Sequence, residues 1–324
     1  MRTIQTSGRH SLTAELGALG PIATSARDLA LFCRVMLQYK PWLVEPPLLE
    51  MPWKQDVVEG TDIPEKLSIA ILWDDGVVLP HPPILHALKR VKDALVAAGH
   101  EVIAWQPVSH QEAWDLIVSV QVDVRCYRTF LSSACQCKLY FLDGGEEYRA
   151  TLKNDPPVAQ TQWIMSRVPN RGAPFSIADT FRLNLEREAF RAKIMHHWNA
   201  TETRTTAGRP VDAIVAPVAP TLAPPHDTTR WWGYTSYWNL LDYPAAVFPV
   251  GRLDADDYRP MDLSAEVNLP KGPRNPTEEF VQAQWDPRTY HNASIGLQLI
   301  GRRLNEEKVL GMLRKVEEAV CCFR

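Results

Sequence analysis

The amino-acid sequence predicts an α/β protein whose sheet carries helices on its faces, and three observations lead there. Leu67 to Trp73 and Glu101 to Trp105 are short apolar runs of strand length, and between them Ile84 to Ala98 repeats apolar residues at helical spacing, so 67–105 reads β-α-β. Two further strand-like runs follow, Pro210 to Pro217 and Gly296 to Ile300. Helical stretches separate them, and no internal repeat is present.

Taken in order, Ser25 to Gln38 places Ala26, Leu29, Phe32, Cys33, Met36 and Leu37 on one helical face, with Ser25 as N-cap three residues before Asp28. Pro41, Pro46, Pro47 and Pro52 then break regular structure in a loop carrying Trp42 and Trp53. Leu67 to Trp73 is nearly all apolar, as a buried strand is. Asp74-Asp75-Gly76 reads as a turn, Pro80 to Pro83 leads into the helix, and Gly99 stops it. Helices are also expected at Gln111 to Val118 and, capped by Ser176 or Asp179, at Ser176 to Asn199. PVDAIVAP at Pro210 to Pro217 is a buried strand between prolines. After Val250 the chain is polar and proline-rich through Pro287, which predicts loop. The strand Gly296 to Ile300 and a helix at Asn305 to Ala319 close the series.

Composition narrows the function classes. The 324 residues are 45% hydrophobic and 23% charged, the range of globular proteins. A formal net charge of -3 and a pI near 6.3 leave no basic footprint for nucleic acid. No apolar segment reaches the roughly 20 residues that span a bilayer, and MRTIQTSGRHSLTAELG lacks a secretory apolar core. A cytoplasmic chain is expected. The six cysteines, Cys33, Cys126, Cys135, Cys137, Cys321 and Cys322, form neither a disulfide framework nor a CxxC metal motif and read as free thiols.

Trp231 to Val250, WWGYTSYWNLLDYPAAVFPV, is the most informative stretch. Its aromatics supply burial, and Tyr234, Thr235, Ser236, Tyr237 and Asn239 are polar groups able to orient a small ligand. The other reading is a core strand preceded by an aromatic-rich turn. Nucleophile and base candidates are scattered: Ser7, Ser132, Ser133 and Ser236 on one side, His81, His110, His226 and His291 on the other, none in a G-x-S-x-G turn. His196 and His197 are adjacent on a helix and point apart, so they do not chelate a metal together. Neither G-x-G-x-x-G nor Walker A is present, so no cofactor is expected. Asp143, Glu146 and Glu147 beside Gly144-Gly145 read as a solvated turn.

Several segments resemble, in family order, the C-terminal part of the amidase signature family, and most closely its fungal acetamidase-type members. They are LGPIATSARDLALF at Leu19 to Phe32, WDDGVVLPHPPILHAL at Trp73 to Leu88, AGHEVIAW at Ala98 to Trp105 and YFLDGGEEYR at Tyr140 to Arg149. VDAIVAPVAPTLAPPH at Val211 to His226, WNLLDYPAAVFPV at Trp238 to Val250 and IGLQLIGRRLNEEKVL at Ile295 to Leu310 complete the set. The resemblance implies a mixed β-sheet sandwiched by helices and hydrolysis of linear or aryl amides by a Ser, cis-Ser, Lys triad with a backbone oxyanion hole.

Those catalytic parts lie upstream of GPIATSARDL in the family. QTSGR at Gln5 to Arg9 resembles the tail of the signature, with Gln5 where its proline stands, and no position here matches the lysine, the two serines or the glycine-rich loop. The expectation is therefore an incomplete amidase-signature fold: residues 1–324 as the C-terminal part of a single amidase-like domain, without catalytic residues and inactive alone. Ser132-Ser133 lacks flanking glycines and is rejected as a substitute. Ser119 to Cys137 differs from both flanks and reads as an insertion. By resemblance Tyr234, Thr235, Tyr237 and Asn239 line the acyl side of the pocket, while Asp242, Tyr243 and Pro244 set a turn. The small-molecule partner implied is an amide; oligomeric state is not read. The alternative is a non-catalytic pseudoenzyme or scaffold. Strands without neighbours imply marginal stability or aggregation for the isolated chain.

Overall fold

The computed structural model describes residues 20–45, 48–117, 139–153, 155–168, 172–264 and 266–322. The predicted insertion at 119–137 lies outside the described residues, as do Ser7 and the QTSGR stretch.

Helix α1 (Ala26–Gln38) begins at Ser25, whose hydroxyl accepts from the Asp28 amide, as the sequence predicts. A short α2 (Gln55–Glu59) precedes the β-α-β unit of β1 (Ser68–Ile71), α3 (Pro82–Ala97) and β2 (Glu101–Ala104). Prolines occupy the first turn of α3, where no amide partner is lost. Gly99, at φ +79°, ends it in a conformation that a side chain would strain. Then come α4 (His110–Ile117), α5 (Glu146–Leu152), α6 (Ala159–Met165), α7 (Ile177–Asn199), β3 (Ala213–Pro217), α8 (Gly233–Leu241), β4 (Ala245–Arg252), α9 (Pro276–Gln282), β5 (Ser294–Ile300) and α10 (Glu306–Cys322).

The sheet order is β2-β1-β3-β5-β4. β1 lies parallel to β2 and β3, whereas β5 runs antiparallel to both β3 and β4, so the sheet is mixed. Strand alternation sends one set of side chains to each face. Ile69 and Ile71, Ala213 and Val215, Leu297 and Leu299, and Phe248 join α3 and α10 in one apolar layer. Ala70, Leu72, Ile214, Ala216 and Ile300 face the second layer, built with residues of α4, α7 and α8. Leu88, Val91 and Leu95 of α3 are fully buried. Each contributes about 1.5–3 kcal/mol relative to exposure. Among the described residues no helix is long and apolar enough to cross a membrane.

Three departures from expectation are instructive. The aromatic stretch before β4 is the helix α8, not a turn, because Tyr234, Tyr237, Trp238 and Leu241 recur at helical spacing and are all buried. The stretch expected to be loop contains α9, where Asn275 accepts from the Glu278 amide and Pro276 takes the first helical position. Asp143 and Gly144-Gly145 form the expected turn, but Glu146 and Glu147 belong to the first turn of α5, and the Asp143 carboxylate accepts from the Gly145 and Glu147 amides at the start of that helix. The turn expected at Asp242 to Pro244 is present. Asp242 adopts φ 59°, and the Asp242 and Tyr243 amides close onto the Asn239 and Trp238 carbonyls.

Candidate functional site

At the carboxyl ends of β1 and β3 the loop Asp74 to Leu79 meets the start of α8, and a buried carboxylate joins them. Asp75 is 2% exposed. Its Oδ1 accepts from the Val77 and Val78 amides at 2.8 Å each, and its Oδ2 accepts from Trp231 Nε1 at 2.8 Å. Tyr234 Oη, from the first turn of α8, donates to the Val78 carbonyl (2.8 Å) and accepts from the Asp75 amide (3.1 Å). Burial pushes the Asp75 carboxyl up to about 7, helped by neighbouring Asp74 and opposed by its three N–H donors. Trp231 lies directly over Gly233, where a Cβ would stand 2.4 Å from the indole, so only glycine admits this approach.

Helix α9 fastens the same loop from outside. Glu278, 1% exposed, accepts from the Leu79 amide at 2.8 Å, and Arg274 spans Glu278 and Asp74. Asn275 Nδ2 donates to the Val77 carbonyl, and Gln282 Nε2 to that of Leu79. Burial opposes ionisation of Glu278, yet the Arg274 guanidinium and the two amides hold its carboxyl below the ordinary value.

The predicted wall residues divide between two faces of α8. Tyr234 and Tyr237 are buried, and Tyr237 Oη donates to the Val108 carbonyl at 2.9 Å. Thr235 is exposed, its hydroxyl donating to the Trp232 carbonyl, and half-buried Asn239 accepts from Tyr140 Oη at 3.4 Å. Gln298 of β5 holds the base of the helix by donating to the Tyr234 and Pro217 carbonyls. Around the outward face runs an aromatic ladder that sequence reasoning missed. Trp114 stacks on Trp231 at 4.2 Å and meets Trp232 at 4.7 Å, and Trp163 meets Trp232 at 5.9 Å with the Arg167 and Arg230 guanidiniums over its ring.

Among the histidines, His110 stacks on Tyr237 at 3.8 Å, and neither ring nitrogen has a partner among the described residues. Burial lowers it to about 3, so the ring is neutral. His81 bonds the Val281 carbonyl through Nε2 and is likewise lowered by burial. His197 Nε2 lies 3.1 Å from the Gln106 carbonyl. Among the described residues no serine hydroxyl is bonded to a histidine or lysine, and no group of three or more His, Cys, Asp or Glu could hold a metal.

The family model described as Amidase matches residues 4–310. The chain belongs to the amidase family. Amidase 1 of Gibberella moniliformis is 32% identical over 308 residues, which cover 93% of this chain and 52% of that protein. The acetamidase of Emericella nidulans is 31% identical over 304 residues, 92% of this chain and 50% of its own length. Among solved structures, a fatty acid amide hydrolase superposes with a TM-score of 0.73 at 26% identity, covering 93% of this chain and 48% of that one. A bacterial aryl acylamidase, at 15% identity and a TM-score of 0.51, shares the fold. The chain spans about half the length of the curated relatives it matches.

Proposed function

We propose that this chain forms the acyl-side wall of an amidase acting on linear or aryl amides, as the C-terminal part of a single amidase-like domain with Ser119 to Cys137 inserted in it. The observation that carries this reading is α8: Tyr234 and Tyr237 are tied to backbone carbonyls, which leaves Thr235 and Asn239 on the outward face beside Trp232. Tyr234 and Tyr237 give the wall its position, and Thr235 and Asn239 supply its polar contacts. The names of the relatives, an acetamidase among them, point to small amides as the substrate class.

The chain by itself does not hydrolyse amides in this reading, because none of its residues matches the family's triad. It resides in the cytoplasm and engages no nucleic acid. The test pairs an acetamide and acyl-anilide hydrolysis assay of the purified chain with fluorophosphonate labelling. Neither turnover nor labelling is expected; a labelled serine within these residues overturns the assignment of a wall without a nucleophile.

A second reading, a non-catalytic scaffold, rests on apolar surface. Leu31, Phe32 and Val35 of α1 are 48%, 39% and 39% exposed, and Val247 of β4 is 53% exposed. Saturable binding of an amide by a chain that neither turns over nor labels, lost in Asn239→Ala, supports the wall. Retained partner binding without amide binding supports the scaffold.

A further inference from the structure

At the opposite end of the sheet from Asp75, a cleft of about 410 Å³ opens between the segments that precede β1 and β3 and the one that joins β5 to α10. Its floor is apolar, with Pro64, Val211 and Met312, and its charged groups do not balance. Arg209 is spent on Asp212, whose other oxygen accepts from the Ser68 amide. That leaves Arg302 and Lys308 against Asp62, which is exposed at the rim.

Arg302 is the unusual member. Its guanidinium is half-buried and lies 5.0 Å from the Trp198 ring centroid, and no carboxylate lies within ion-pair distance of it among the described residues. Burial draws it below the ordinary arginine value, with only the Tyr243 phenol acting the other way. Lys308, in the first turn of α10, also has no ion-pair partner among the described residues. An unpaired, partly desolvated guanidinium costs stability unless an anion completes it. Its planar fork matches a two-oxygen anion in particular. Asn305 does not compete for that anion, because its side-chain amide donates to the Arg302 and Arg303 carbonyls and braces the turn that presents Arg302.

We infer that this cleft is a binding site for a small oxyanion, a carboxylate or phosphate borne on a compact apolar body, gripped by the Arg302 fork and neutralised further by Lys308. The assignment is independent of amide hydrolysis, since the cleft lies at the amino ends of β1 and β3, away from α8's outward face.

Isothermal titration of the full chain at fixed ionic strength tests it, with benzoate in one arm and inorganic phosphate in the other. Saturable binding of at least one is expected, and the tighter arm identifies the class. Arg302→Met, which keeps the apolar stem, weakens that binding about tenfold or more. Lys308→Met weakens it by a smaller factor, whereas Arg303→Met, removing a guanidinium already paired with Asp242, leaves it unchanged. No saturable binding of either probe, or equal binding by wild type and Arg302→Met, overturns the assignment. If Arg302→Met does not fold, Arg302→Lys keeps the charge without the fork. Undiminished affinity in both Arg302→Lys and Lys308→Met then overturns it equally.

Discussion

The two faces of the sheet are covered by layers of different chemistry. Against α3 and α10 the layer is largely aliphatic, with Leu67, Ile69, Leu88, Val91, Leu95, Leu297, Leu299 and Val316 almost wholly buried. Against α4, α7 and α8 it is aromatic, with Trp105, Trp114, Trp198, Trp231, Tyr234, Tyr237 and Trp238. The aromatic layer also holds buried polar atoms without partners among the described residues: both His110 nitrogens and the indole nitrogens of Trp105, Trp114 and Trp238. Aliphatic side chains have no such atoms to satisfy. On the aliphatic side Tyr290 Oη and, packed against it, His81 Nδ1 are the counterparts among the described residues, so the contrast is one of degree: one face is built mainly for cohesion, and the other carries more imperfect hydrogen bonding while shaping α8.

The comparison breaks most readily on the aliphatic side. Leu299→Ala removes a fully buried side chain at the centre of that layer and is expected to cost about 2–5 kcal/mol in urea unfolding. An effect below about 1 kcal/mol refutes the assignment of cohesion to this face.

A pH experiment isolates the anchor of the aromatic side. Asp75 stands at about 7 against an ordinary 3.8, so the folded state binds its proton more tightly than the unfolded state does. Its contribution is fully present below the ordinary value and is lost as pH rises through about 7. The stability of wild type relative to Asp75→Asn is therefore expected to fall by up to about 1.4 kcal/mol per pH unit between those limits. A difference independent of pH across that window removes Asp75 as a titrating anchor.

Trp231→Phe keeps most of the ring stacking on Trp114 but withdraws the N–H from Asp75 Oδ2. A loss of about 1–3 kcal/mol is expected, growing as Asp75 ionises. Thermal or urea unfolding at pH 6 and pH 8 measures it, and an equal loss at both values argues for packing alone. The smallest effect sharpens the comparison from the other direction. His110→Phe keeps a flat ring on Tyr237 and deletes two nitrogens without partners among the described residues, so a change within about 1 kcal/mol of neutral, or a gain, is expected. A loss of several kcal/mol would show that His110 holds a hydrogen bond in solution.

Much of this was readable in the sequence because the signals are local. The Ser25 cap, the β-α-β unit, the Gly99 stop and the LDYP turn each depend on residues within a few positions of one another. Two elements had local signals that other features masked. The 234, 237, 238, 241 spacing of α8 is helical, but its aromatic composition and the apolar run after it suggest a strand. The Asn275-Pro276-Thr277-Glu278 start of α9 is a capping sequence embedded in a proline-rich stretch. The candidate wall was legible as a segment, and the division of its residues between anchor and outward face was not.

What the sequence determined by itself is the period and punctuation of the chain, and through them its elements and its family resemblance. What only the tertiary structure decided is the state of individual groups. Asp75 meets Trp231 across 156 positions, and Arg274 meets Asp74 across 200. A carboxylate in a sequence reads the same whether it lies in water or beneath an indole; the folded contacts alone set its desolvation and its donors. The same holds at the other end of the sheet, where packing against Trp198 leaves Arg302 half-buried and, among the described residues, without a carboxylate.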